Sequence, residues 1–190
     1  MKLRHILGAV VLVTLDLLPA CSRPKTGNPP PSSPAETVAL FVLPSGVQIH
    51  IVEAPFVASQ FMIKGCGETD PECLINDTIP SGSDFGLPKS YVKSITASFG
   101  GRTYELDASN MYNAWGGRPL EAGGTRFFGG KCETSEKTDI CHLRGIFSDG
   151  AGSFVAEWVV VNGKSTRTVL TSSNDVLGLF LDHIDPPEFN

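Results

Sequence analysis

The chain is predicted to be mainly β: antiparallel sheets arranged as a sandwich or a partly closed barrel, with a C-terminal helix and one short internal helix. Three observations point there. Short apolar, β-branched-rich runs recur along the chain, separated by turn-rich segments. Gly100-Gly101 and Asn162-Gly163 have the composition of two-residue hairpin connections, Asn-Gly being the strongest such signal. No period of about twenty to fifty residues repeats, which excludes solenoids and propellers.

Taken in order, Val38 to Leu43 and Val47 to Val52 are strand-like runs joined by Pro44-Ser45-Gly46, and Val47, Ile49 and Ile51 share one face. Lys64 to Lys89 is rich in Gly, Pro, Asp and Ser and predicts irregular surface structure. Tyr91 to Phe99 and Arg102 to Asp107 form a second predicted hairpin about Gly100-Gly101. Ala108 to Trp115 predicts a short helix started by Asp107 or Ser109 and ended by Gly116-Gly117. Thr125 to Cys132, Ile140 to Ser148, Ser153 to Val161 and Lys164 to Thr171 predict an antiparallel meander. A helix from Asn174 to about Asp182, capped by Ser172 or Ser173, carries Val176, Leu177, Phe180 and Leu181 on one face for packing on the sheet.

Ahead of these elements the chain opens MKLRHILGAVVLVTLDLLPAC, with Lys2 and Arg4, an apolar run from Ile6 to Leu18, and Ala20 directly before Cys21. That is the layout of a secretory signal, and the run is too short and, with Asp16, too polar for a lasting membrane span. Leu18-Pro19-Ala20-Cys21 resembles the lipobox of bacterial lipoproteins. The resemblance implies cleavage before Cys21, a diacylglyceryl group on its sulfur and an acylated amine. Ser22, where an aspartate would favour inner-membrane retention, implies the outer membrane, facing the periplasm. Residues 1–20 are therefore read as signal, 21–36 as lipidated cysteine and tether, and 37–190 as one globular domain. The tether SRPKTGNPPPSSPAE, with five prolines, has no apolar side chain larger than alanine. Stiff and extended, it would reach about 45 Å at roughly 3.1 Å per residue.

Without residues 1–20 the chain keeps 13 basic and 19 acidic residues, a net charge of −6. Such a balance disfavours nucleic acid and anionic headgroups and favours basic partners. Four cysteines follow Cys21: Cys66, Cys73, Cys132 and Cys141. An even number in an oxidising compartment predicts two disulfides, and the pairing Cys66 with Cys73 and Cys132 with Cys141, each closing a short loop, is favoured of the three possible. Their spacings do not fit zinc knuckles, and no metal or cofactor is expected.

The search for catalytic residues finds little. Beyond residue 20 the histidines are His50, His142 and His183; the first two fall in predicted strands, where a packed or surface role is the ordinary one. Asp182, His183, Asp185 and Glu188 form the one cluster with metal or acid/base chemistry, and as an acidic, proline-containing terminus it reads as a solvated tail. Asp84-Phe85-Gly86 lacks the other kinase motifs, and the Ser148 to Ser153 run lacks the lysine and helix of a phosphate loop. A binding protein is expected rather than an enzyme.

For binding, the two crosslinked loops present carboxylates: Glu68, Asp70 and Glu72 in the first, and Glu133, Glu136 and Asp139 in or beside the second. A crosslinked loop loses less entropy on docking than a free one, so these suit a basic cleft. In general plan the chain is similar to periplasmic immunity and inhibitor lipoproteins, through its lipobox, proline tether, small disulfide-bonded β domain and lack of an evident active site. It lacks the serine-glycine-x-x-tyrosine stretch of the small lysozyme inhibitors. The resemblance implies a protein partner, a toxin or envelope hydrolase; the competing expectation is a structural or assembly lipoprotein of an envelope or secretion complex.

Overall fold

The computed structural model describes residues 35–67, 72–83, 86–114, 128–134, 139–148 and 150–184. Residues 33–190 form one compact unit. The signal, Cys21, Glu68, Asp70, Glu136, Asp185 and Glu188 lie outside the described residues.

The described residues hold ten strands and one α-helix: β1 Thr37–Val42, β2 Gln48–Pro55, β3 Ile63–Gly65, β4 Cys73–Ile75, β5 Ser90–Phe99, β6 Arg102–Leu106, β7 Phe128–Thr134, β8 Asp139–Phe147, β9 Phe154–Val161, β10 Lys164–Thr171 and α1 Asn174–Asp182. All three sheets are antiparallel. One has the order β1-β2-β5-β6, the second is the meander β10-β9-β8-β7, and β3-β4 is a separate hairpin.

Alternation places the apolar side chains of the two large sheets between them. Phe41, Ile49, Ile51, Val92, Ile95, Phe99 and Leu106 of the first share a core with Phe128, Leu143, Phe147, Phe154, Trp158 and Val160 of the second. Phe41 stacks on Phe128 at 5.0 Å, and Phe147 on Phe154 at 5.1 Å. Gly130 lets the layers close up, since a Cβ there would meet Leu143 Cδ2 at 2.6 Å and Leu43 Cδ1 at 2.9 Å. The opposite face of the second sheet is covered by α1, where Phe180 packs with Ile146 and Val155. The result is sheet, sheet, helix: a sandwich, without a closed barrel.

The hairpin turns match their composition. Gly100 and Gly101 have φ of 57° and 73°, and Asn162 and Gly163 49° and 83°. Lys164–Thr171 and Asn174–Asp182 coincide with the predicted ranges. Ser173 is the N-cap of α1, but its side chain makes no cap hydrogen bond; its amide donates to Thr171 Oγ1 at 3.1 Å. Two expectations are corrected. Lys64 to Lys89 is not all irregular, because β3 and β4 pair there from Ile63↔Ile75 to Gly65↔Cys73. Ala108 to Ala114 is not helical: Asn110 and Asn113 sit at φ 59° and 43°, and Asp107 Oδ1 accepts the Ser109 amide in a turn. Met111 and Tyr112 then bridge to Ser81 and Tyr91.

Candidate functional site

Strand β6 accompanies β5 only from Phe99↔Arg102 to Ile95↔Leu106. Past Leu106 the second sheet draws the chain aside. Trp158 Nε1 donates to the Asp107 carbonyl at 2.9 Å, and Arg167 donates to the carbonyls of Asp107 at 3.3 Å and Ser109 at 2.5 Å. An Arg167–Asp107 ion pair at 3.2 Å fastens the same turn. The chain rejoins β5 where Val92 N–H donates to the Met111 carbonyl at 2.9 Å. Between departure and return lies a recess of about 430 Å³ along β5.

One wall of this recess is aromatic. Phe61 stands edge-on to Tyr91 at 5.2 Å and to Tyr112 at 6.3 Å, and is backed by Phe56 stacked at 4.4 Å. Burial pushes the Tyr112 phenol up, favouring its neutral, hydrogen-bonding form. Amides and hydroxyls frame the rest, from Asn76, Ser94, Ser109 and Asn110, with Lys93 and Glu105 as the lining charges. Lys93 Nζ is paired with Glu36 at 2.6 Å. Asn110 Nδ2 donates to the Ile79 carbonyl at 2.7 Å, while its buried Oδ1 has no hydrogen-bond partner among the described residues.

Beside the recess, Met62 and Asn76 exchange hydrogen bonds: Asn76 N–H to the Met62 carbonyl at 2.7 Å, Met62 N–H to Asn76 Oδ1 at 3.0 Å. Both Met62 and Ile79 are large apolar residues left in water, at 51 % and 75 % exposure. Apolar and aromatic area held on a rigid sheet, with a few oriented polar groups, is the composition of a binding pocket and of interface hot spots.

The cysteines pair as Cys66–Cys73 and Cys132–Cys141. The first bond joins the end of the β3–β4 hairpin, next to Gly65↔Cys73; the second joins directly opposed residues of β7 and β8. The acidic candidates do not converge. Glu72 and Glu133 are exposed, but the first belongs to the hairpin beside the Ser90 end of β5, and the second to β7, whose partner β8 begins with Asp139 near the Phe99 end. Ten residues of strand separate those ends, about 30 Å at roughly 3.3 Å per residue.

Asp139 is 4 % exposed, and its carboxylate accepts from Arg102 and, at 3.0 Å, from the Tyr104 hydroxyl. It is a clasp between the sheets, not an outward contact. Asp182 and His183 are exposed at the end of α1, where the His183 carbonyl accepts from Arg144 at 2.9 Å. Among the described residues no group of three His, Cys, Asp or Glu could hold a metal, and no helix is long and apolar enough to cross a membrane.

Sequence reasoning missed Phe61, Tyr91, Asn110, Met62 and Ile79. Their one local signal is the turn composition of Asp107-Ala108-Ser109-Asn110, which also reads as a helix start. No protein family, curated protein or solved structure matches the chain.

Proposed function

We propose that this is an outer-membrane-anchored lipoprotein, facing the periplasm, that binds and neutralises a protein toxin or envelope hydrolase and performs no chemistry of its own. The observation that carries the binding reading is the recess along β5, with its aromatic wall and its exposed neighbours Met62 and Ile79. Aromatic and apolar area beside a few oriented polar groups is what a partner's side chains cover. The lipobox, the export signal and the proline tether support the placement. Glu36, just before β1, holds Lys93 at the recess, so the chain enters the domain beside the proposed binding surface. Of the acidic candidates, Glu72 belongs to the hairpin beside the Ser90 end of β5 and is the one retained as a partner contact.

Two experiments test the reading. Deleting the gene should sensitise the strain to toxin-secreting siblings, and the tagged domain should retrieve the toxin; unchanged survival together with an empty pull-down would sink the proposal. With the retrieved partner, Tyr91→Ala or Ile79→Asp should cost at least about 2 kcal/mol of affinity, roughly thirty-fold in Kd, by calorimetry. Circular dichroism should show the variants folded. Affinity unchanged by both would exclude the recess as the contact.

A further inference from the structure

A sheet edge offers unpaired backbone donors and acceptors, and proteins guard it with charge, bulges or cover. The two large sheets have four edge strands. Strand β6 carries Arg102 and Glu105, and β7 carries Lys131 and Glu133. In β10 there are Lys164 and Arg167, and the register shifts between Arg167 and Val169. Strand β1 has none of these among the described residues. Its six residues, TVALFV, hold no charge and no proline, and its pairing with β2 runs without a register shift. On its outward face Val38, Leu40 and Val42 are 59 %, 61 % and 55 % exposed.

We propose that β1 pairs antiparallel with β1 of a second copy of this chain, joining two four-stranded sheets into one of eight. A two-fold axis through Leu40 sets Leu40 opposite itself and Val38 opposite Val42, so every outward contact is apolar on apolar. On the core side the same register sets Ala39 opposite Phe41, small against large. Pro44, lacking an N–H, falls opposite Glu36 and ends the ladder at both ends.

Charge favours this occupant over the chain's other edges. β1 is neutral, and the flanking Glu36 is already neutralised by Lys93, so two copies bring no like charges together. Pairing β1 with β6, β7 or β10 of another copy would instead lay charges on the apolar row and generate an open chain rather than a closed pair. The preceding SRPKTGNPPPSSPAE has five prolines, each without the N–H donor that a ladder needs.

The chain from Ser22 to Asn190, which retains the compact unit 33–190, tests this without the lipid. Light scattering across a concentration series should show the mass double, and Leu40→Lys should hold it at one chain with an unchanged circular dichroism spectrum. In the proposed register Leu40→Cys should crosslink to itself on oxidation, because directly opposed residues lie within disulfide reach, whereas Glu105→Cys should not. A single-chain mass at every concentration, a doubled mass that survives Leu40→Lys, or a Leu40→Cys chain that crosslinks another envelope protein in place of its own copy would each overturn the pairing.

Discussion

Glu53 is 7 % exposed on β2, at the register shift between Val52 and Glu53. Burial raises its carboxyl above the ordinary value, against the Ser90 hydroxyl and the Ala114 amide, which both donate to it. A raised carboxyl pKa means that the folded chain holds its proton more tightly than the unfolded one. The stability it contributes is complete below the ordinary carboxylate range and is lost as pH rises through the raised value. Glu53→Gln keeps an acceptor for both donors and removes the buried charge. Its melting temperature should exceed that of the native chain at neutral pH, with the gap closing in acid; an equal or lower value at neutral pH would show that the carboxylate is welcome there. Asp139 is a buried acceptor that takes hydrogen bonds from two side chains of β6, Arg102 and Tyr104. Asp139→Ala leaves the Tyr104 hydroxyl buried without its acceptor, while the exposed Arg102 turns to water, and should cost about 2 kcal/mol in a denaturant titration, with Asp139→Asn costing less.

At the level of elements, α1 rests on one fully buried ring. Phe180 is 2 % exposed among Ile146 and Val155, and the Arg144 guanidinium lies 4.9 Å over it while pairing with Glu157 at 2.6 Å. Phe180→Ala should cost about 3 kcal/mol and speed hydrogen exchange across Asn174–Asp182, leaving the meander protected. Undiminished protection in the helix would mean that its other contacts suffice. This helix was legible in the sequence because its 3.6-residue pattern is local, as were the Asn162-Gly163 and Gly100-Gly101 hairpins, whose turns need left-handed residues. The β3–β4 hairpin was not: three residues per strand are too few for a period, and its closure depends on Cys66–Cys73 and on the Met62–Asn76 exchange. Nor was the stretch after Leu106, where local composition suggested a helix while Trp158 and Arg167, more than fifty residues on, dictate the path. The recess inherits that illegibility, since it exists only because those two side chains pull on the turn. Counting acidic residues between cysteines located the loops but not their exposure, and Asp139 points inward.

Across the whole molecule, two sheets share one core and α1 covers the outer side of the second, while β1 keeps Val38, Leu40 and Val42 exposed and Met62 and Ile79 are exposed beside the recess. Among the described residues, the first strand of the domain is also the first sheet's unguarded edge. The Glu36–Lys93 ion pair gives this arrangement a mechanical meaning. In the proposed function, a captured partner hauled against the lipid anchor would load the domain between the start of β1 and the Ser90 end of β5. Tension there crosses β1, β2 and β5 near Thr37, Glu53 and Val92, which are paired in series, and bypasses the meander, both hairpin turns and the helix. The load path is three strands wide, and the rest of the fold hangs beside it as an unstressed counterweight.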